Sequence, residues 1–504
     1  MNTLYFPNGA NIKITNISNE QLFTTKEGII SPTLVPLKNV IDNQTPFTIQ
    51  IPSFVSYKIN SILPGDSITF IVKDIDEIMY YKKFAESNIK GIKIEVTPIE
   101  EKAVIYGWHV DPSISDPDNA ITYLEKAVDK TPAQMTNDGF SYGDWEDAFF
   151  MPKPCMVKYD GTVDYYLDPN DYTKKIDGTD SDVADPNYNG NAMMEWPKIW
   201  FKFEEGNAEG EGYFYCSSEK VDDTYDCFCN IDSLNNEIDH FYTAIYNGTG
   251  IDKMRSISGV QANDTNGCGY QTFATQEANA KANNTTTNVE WYMEVWADRM
   301  LINALLILIS KSLNSQAKFG NGLVTNVGEY YITGTLNNKG LFWGDTTNLN
   351  QAVKIFGMEN WWGHTGHRIA GLVNSYRTKK YLYKMTYNNY DGSEATSYNS
   401  DGYKYLTAKN KAGVDLILPA KNYLTKCNYG TYGYLPITTS SGSGNTYYCD
   451  SFYANSSDSC VMTAGGWTAH KLQAGASYFN LNIWPHQSVW YVAASLSLKP
   501  IANV

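Results

Sequence analysis

Only one stretch of this chain carries a strong apolar periodicity of helix length. Between Asn288 and Leu313, Val289, Tyr292, Met293, Trp296, Met300, Ile302, Leu305 and Leu306 return to one broad face. The spacing predicts a helix over 288–313, capped by Thr287 or Asn288. Its apolar face is too wide for a surface helix and is expected to lie against a sheet. Nearly everything else is short: β-type runs of a few residues separated by turn signals. The fold class expected from this pattern is α+β, with a β-rich N-terminal domain.

A chain of 504 residues is too long for one simple core, and two or three domains are expected. Residues 1–102 read as a separate β-rich unit. Its runs are Asn11–Thr15, Phe47–Pro52, Ser67–Lys73 and Gly91–Thr97, with turns at Pro7-Asn8-Gly9 and Pro64-Gly65-Asp66. One short helix fits Ile75–Asn88, with Ile78, Tyr81 and Phe84 at helical spacing. The expectation is a small sandwich with one helix, of a size suited to attachment. After Glu100-Glu101-Lys102 the character changes, and 103–504 is expected to be the second unit. It opens with many aromatics, Asp-Pro and Asn-Gly turns, and short strands such as Trp196–Phe203. The acidic loop 177–187, with Asp177, Asp180, Asp182 and Asp185, lacks a closing Glu and reads as a solvated loop rather than a calcium site. Two polar loops, Tyr387–Tyr403 and Thr438–Thr446, are expected on the surface.

Charge narrows the partners. The formal net charge is −16, which repels nucleic-acid phosphates and anionic lipid headgroups, so neither nucleic acid nor membrane insertion is expected. The longest apolar run, Leu301–Ile309, is about half of a membrane span. The start, MNTLYFPNGANIKITN, has no basic segment followed by an apolar one, which leads to the expectation of a chain made and folded in a cytosol. Eight cysteines are scattered without CxxC or zinc spacing and are expected to be reduced and buried. The 38 Tyr and 12 Trp suit a recognition surface, although most are expected to fill cores and strand faces.

The last forty residues are the most informative. Met462–Leu498 predicts two strands. In Ser477–Asn482, Phe479 and Leu481 point one way and Tyr478, Asn480 and Asn482 the other. In Val489–Leu498, Trp490, Val492, Ala494, Leu496 and Leu498 form the expected core face, opposite Val489 and Tyr491. Between the strands, Ile483, Trp484, Pro485 and His486 make a loop. An exposed Trp beside an Ile marks a binding patch. Signals of catalysis are weak: no GxSxG elbow and no P-loop occur. His364 and His367 have HxxH spacing without the glutamate of a zinc protease and read as a structural pair. No catalytic residue, cofactor or metal site is assigned.

This C-terminal segment resembles the variable region of phage tail proteins diversified by diversity-generating retroelements. The matching features are Gly465-Gly466, Ala474-Gly475, Tyr478-Phe479-Asn480-Leu481-Asn482, Trp490 and Ala494-Ser495-Leu496-Ser497-Leu498. Upstream, Asn314-Ser315-Gln316, Gly320-Asn321-Gly322, Gly340–Gly344 and Phe356–Gly363 look like the family's internal motifs. Tyr106-Gly107, Ser115-Asp116-Pro117 and Trp196-Pro197-Lys198 look like the stretch preceding it, so the resemblance covers about 103–504. It implies a C-type-lectin-like (formylglycine-generating-enzyme-like) C-terminal domain with a variable region at about 465–498. It implies ligand contact by Thr468, Ala469, His470, Gln473, Ser477, Tyr478, Ile483, His486, Val489 and Tyr491, with Trp484 on the loop between them. It further implies a virion tail protein that binds a host cell-surface protein or glycan and forms a homotrimer. Residues 1–102, outside the resemblance, are expected to hold the other tail proteins. Three functions follow as alternatives: a non-enzymatic adhesin, preferred here, a tail-associated glycan depolymerase, and a cellular retroelement-diversified display protein.

Overall fold

The computed structural model describes residues 10–17, 22–24, 29–31, 49–50, 61–73, 75–86 and 92–98, then 103–262, 268–325, 331–377, 380–385, 406–454 and 460–502. The chain divides into two compact units, Met1–Lys102 and Ala103–Val504.

In the first unit, β1 (Ala10–Asn16) lies between β2 (Ser67–Val72) and β3 (Ile92–Pro98), antiparallel to both. Alternation drives the arrangement. Ala10, Ile12 and Ile14 of β1, Ile68, Phe70 and Val72 of β2, and Ile92 and Ile94 of β3 are all buried. Helix α1 (Ile75–Glu86) closes that face with Ile78 and Tyr81. A second, four-stranded sheet contains Leu22–Thr24, Ile29–Ser31, Ile49–Gln50 and Ser61–Ile62. The rest of the expected run Phe47–Pro52 lies outside the described residues.

The second unit is β-rich. Its first half supplies β4 (Ile105–Val110), β5 (Ile121–Glu125), β6 (Lys153–Lys158), β7 (Gly190–Pro197), β8 (Trp200–Glu205), β9 (Gly212–Ser217), β10 (His240–Ala244) and β11 (Val289–Met293). Helix α2 (Trp296–Ser310) follows. Then come β12 (Gly366–Arg377), β13 (Asn422–Gly430), β14 (Gly433–Ser440), β15 (Ser451–Ala454), β16 (Val461–Gly465), β17 (Gly475–Ile483), β18 (Val492–Ala493) and β19 (Leu496–Pro500). One four-stranded sheet runs β8-β9-β4-β5. Another sheet contains β6-β7-β10-β19-β11 in that order, and the largest contains β12-β16-β17-β15-β13-β14.

Helix α2 is the axis of this unit. Every residue of it except Ala297 is buried, and it packs on β12, β14 and β4. The wide apolar face therefore meets sheets on several sides. Its polar residue Asn303 links two layers, donating from Nδ2 to the Ala476 carbonyl at 2.7 Å and accepting from Trp361 Nε1 at 2.8 Å. Arg299 is fully buried, bonded to Glu294 Oε1 at 3.0 Å and to the Trp361 carbonyl at 2.6 Å. Lys311, with φ 52°, ends the helix by donating its N–H to the Ile307 carbonyl.

The helix expected from Asn288 is shorter than the periodicity indicates. Val289–Met293 is instead a strand, paired antiparallel with β19 from Val289↔Pro500 to Met293↔Leu496. Val289, Trp291 and Tyr292 are β-branched or aromatic, and a neighbouring strand edge outweighs the helix preference of the segment. The expected strand Val489–Leu498 is likewise divided. β18 pairs in parallel with β12, whereas β19 joins β10 and β11 in the other sheet. The crossing is fastened at Ala494, whose carbonyl accepts the Gly248 N–H at 2.9 Å, and at Ser495, whose carbonyl accepts the Glu294 N–H at 2.9 Å.

The acidic loop spends its carboxylates on its own turns and on the strands beside it. Asp177 takes the Thr179 N–H and hydroxyl, Asp180 pairs with Lys174, Asp182 accepts from Tyr165 and Asp185 from the Asn187 N–H. All eight cysteines are free and buried. The loop Tyr387–Tyr403 lies outside the described residues, and Thr438–Ser440 belongs to β14 rather than to a loop. No helix among the described residues is long and apolar enough to cross a membrane.

Candidate functional site

The C-terminal segment begins where β16 ends in two left-handed glycines, Gly465 at φ 82° and Gly466 at φ 71°. A Cβ on Gly465 would sit 2.7 Å from the Trp361 carbonyl oxygen, so only glycine lets the chain pass over α2's neighbour. The chain then loops through Trp467-Thr468-Ala469-His470, makes one tight turn at Lys471–Gln473, and re-enters the sheet as β17. At the re-entry, Asp450 Oδ2 accepts the Ser477 N–H at 2.8 Å.

β17 alternates as the sequence predicts, but both of its faces are covered. On one side Phe479 meets Trp296 of α2 at 5.4 Å and Tyr434 at 6.0 Å between ring centroids. On the other, Tyr478 lies under the 467–473 loop. β15 runs parallel alongside, with Tyr453 opposite Asn480, which puts Tyr453 on the Tyr478 side. The outcome is an aromatic cluster. Trp467 stacks on Tyr491 at 4.6 Å and meets His470 edge-on at 3.9 Å. His470 lies 4.7 Å from Tyr478, and Tyr453 lies 5.6 Å from Tyr478.

Hydrogen bonds fix the cluster's interior. The Trp467 N–H donates to His470 Nδ1 at 3.1 Å, so the neutral ring carries its proton on Nε2. That Nε2 faces the Tyr478 hydroxyl at 3.1 Å and donates to it. Burial, helped by the positive charge of Lys421, pushes the His470 pKa down to about 4. Tyr453 donates to Gln473 Oε1 at 2.7 Å, and the Lys421 ammonium sits 4.2 Å above the Tyr453 ring.

The predicted contact residues separate into two groups. Thr468, His470, Ser477, Tyr478 and Ile483 are buried, with Tyr478 at 0% exposure. They are not free contact surface as expected. For Tyr478 the reason is the covering loop; for Ser477 it is the Asp450 contact and the Tyr434 hydroxyl at 3.2 Å. Ile483 is paired with Val461 in the sheet, and the Thr468 N–H is tied to the His364 carbonyl. Ala469 and His486 are exposed, and Gln473, Val489 and Tyr491 are half-buried. Trp484 is 38% exposed, and its loop is not folded into the core. His486 packs edge-on against Trp484 at 5.1 Å, so these two form a second aromatic pair.

That second pair stands on a pinned backbone. The Pro485 carbonyl accepts the Phe273 N–H at 2.8 Å, the Gln487 carbonyl accepts from buried Arg368, and Gln487 Oε1 caps the Trp484 N–H at 2.8 Å. The Tyr491 carbonyl accepts the Gly366 N–H at 2.9 Å. Trp490, expected in the core, is half-buried at the surface and touches Tyr491 at 5.6 Å. It lies in the turn before β18, where strand alternation does not apply.

Three participants were missed from sequence: Trp467, Tyr453 and Lys421. Trp467 follows a Gly-Gly turn and could have been flagged as an aromatic carried over a loop. Tyr453 and Lys421 carry no such signal: parallel pairing of β15 with β17 brings in Tyr453, and antiparallel pairing of β13 with β15 brings Lys421 beside it. Together the half-exposed groups offer stacking faces and neutral hydrogen-bonding tips, which suits recognition. The HxxH pair adjoins the same segment, with the His364 carbonyl accepting the Thr468 N–H and His367 paired with Ala493 of β18. His364 is fully buried, with burial driving its pKa down to about 3, and His367 Nδ1 meets Glu294 Oε2 at 3.0 Å. Neither a family model nor a curated protein sequence matches the chain.

Proposed function

We propose that this chain is a bacteriophage tail receptor-binding protein, an adhesin that recognises a host cell-surface protein or glycan. In this reading residues 103–504 form an elaborated C-type-lectin-like domain, residues 1–102 attach it to the other tail proteins, and three copies assemble. The observation that carries the reading is two half-exposed aromatic groups, Trp467, Trp490 and Tyr491 in one and Trp484 with His486 in the other, standing on a hydrogen-bonded backbone within the segment that resembles a diversified region. Rigid aromatic anchors lose little side-chain entropy on binding, and a backbone held from beneath lets contact residues change without unfolding.

Adsorption to host cells tests it. Trp484→Ala and Tyr491→Ala are expected to weaken binding by about 1–3 kcal/mol each, the range for interface hot spots. Ile176→Ala, at an exposed site outside the segment, is expected to leave adsorption unchanged. Undiminished adsorption by both aromatic variants would remove the surface from the reading. Release of new reducing ends from host glycan would replace the adhesin with the depolymerase.

A further inference from the structure

The same unit holds an open cleft of about 540 Å³, built by elements that the aromatic surface does not use. One wall is the β8–β9 hairpin. The other is the 409–411 segment together with the turn joining β13 to β14. Phe203, Tyr429 and Tyr432, all buried, form its aromatic floor. Its volume falls in the usual range of small-ligand sites.

Both walls are fastened before any ligand arrives. Glu211 is the clamp of the first. Its Oε1 lies 3.1 Å from the Tyr213 hydroxyl and 3.0 Å from His109 Nε2. Its Oε2 accepts the backbone N–H groups of Asn207 and Ala208 at 2.7 and 2.9 Å. His109 backs the Tyr213 ring at 4.6 Å, so the ring is held in orientation at the cleft wall. On the second wall, Glu205 accepts the Lys411 N–H, and the Tyr432 hydroxyl donates to the Lys409 carbonyl at 3.0 Å. Asn410 Oδ1 accepts the Val414 N–H at 2.8 Å and shapes the turn behind.

Charge then selects the ligand class. The chain carries −16, yet the cleft lining holds Glu204 and Glu205 against Lys409 and Lys411 and is formally neutral. Glu204 is further paired with Lys202 at 3.0 Å. An anion would face two carboxylates and a cation two ammonium groups. A neutral ring bearing many hydroxyls meets amide, hydroxyl, carboxylate and ammonium partners around the rim, and the half-buried Tyr213 ring, backed by His109, for its apolar C–H face. We propose that this cleft binds a neutral oligosaccharide, independently of the aromatic surface at the C-terminal segment.

The test titrates the full chain with soluble neutral hexasaccharides of glucose, of galactose and of N-acetylglucosamine, and with a sialylated oligosaccharide, by calorimetry. Binding of at least one neutral sugar is expected. Tyr213→Ala, and separately Thr431→Trp, which fills the cleft from an exposed turn, are expected to weaken it by roughly tenfold or more. Trp484→Ala is expected to leave it unchanged, so the proposal stands or falls apart from the adhesin surface. Thermal unfolding of each variant checks that it folds, and Thr431→Trp supplies the answer if Tyr213→Ala does not. No neutral sugar bound at about 10 mM, a concentration at which even about −2.7 kcal/mol of binding would register, overturns the proposal. So does binding that survives Thr431→Trp, which places the ligand elsewhere, and so does binding of the sialylated probe alone.

Discussion

Replacing Tyr478 tests the central structural correction, because an outward tyrosine and an enclosed one behave oppositely. The ring is fully buried among Tyr453, His470 and Trp467, and its hydroxyl accepts the His470 Nε2 proton. Tyr478→Ala leaves a ring-sized cavity, and truncating a buried aromatic costs about 3–5 kcal/mol. Tyr478→Phe keeps the ring and removes the acceptor, leaving a buried N–H unpaired at about 1–3 kcal/mol. If residues 103–504 unfold as one cooperative unit, the per-residue unfolding entropy converts each kcal/mol into a Tm shift of roughly 1 °C. Tyr478→Ala is then expected to melt about 3–5 °C below the parent and Tyr478→Phe about 1–3 °C below it. Calorimetry reads the shifts, and adsorption is measured well below the transition, where Tyr478→Phe is expected to bind host cells like the parent. A Tyr478→Ala protein that melts with the parent but fails to bind would refute the burial argument and return Tyr478 to the contact surface.

Three further outcomes are expected. His470 has a folded pKa of about 4, below its unfolded value, so the unfolded state binds the proton first as pH falls. Its contribution is therefore complete above about pH 6.5 and lost between there and about pH 4. Denaturation of parent and His470→Gln across that window should show a stability difference that shrinks as pH falls; a constant difference would contradict the buried neutral ring. A chain beginning at Ala103 is expected to fold and bind host cells but not to join tail particles lacking the protein; joining them would misplace attachment. Sedimentation of the full chain is expected to show a trimer, and a monomer at micromolar concentration would count against that assembly.

Periodicity by itself determined a good deal. The alternation of β1, β2 and β3, the position of α1, the wide apolar face of α2, and the two faces of β17 follow from which residues are apolar and how they are spaced. The exposed Trp484 loop was also legible, as an apolar residue placed between two strands with no strand face to occupy. What periodicity does not encode is what lies on the far side of a strand. Tyr478 points away from Phe479, as alternation requires, yet it is buried because a loop anchored by Gly465 and Gly466 folds over it.

The same limit explains the misjudged elements, among them Trp196–Phe203, which is not one strand but the end of β7 and the start of β8 in two different sheets. Val289–Met293 fits helical spacing, and only the neighbouring β19 edge makes it a strand. Residues 489–498 alternate cleanly, and only the bonds from Gly248 and Glu294 to the Ala494 and Ser495 carbonyls reveal a crossing between two sheets. Tyr453 and Lys421 reach the aromatic cluster through parallel and antiparallel strand pairing, not through sequence proximity. Local apolar spacing is set by the chain itself, because a side chain's direction depends on its own backbone. Which surface covers that side chain depends on segments tens or hundreds of residues away, and hydrogen bonding and packing between them settle it only when the whole unit folds.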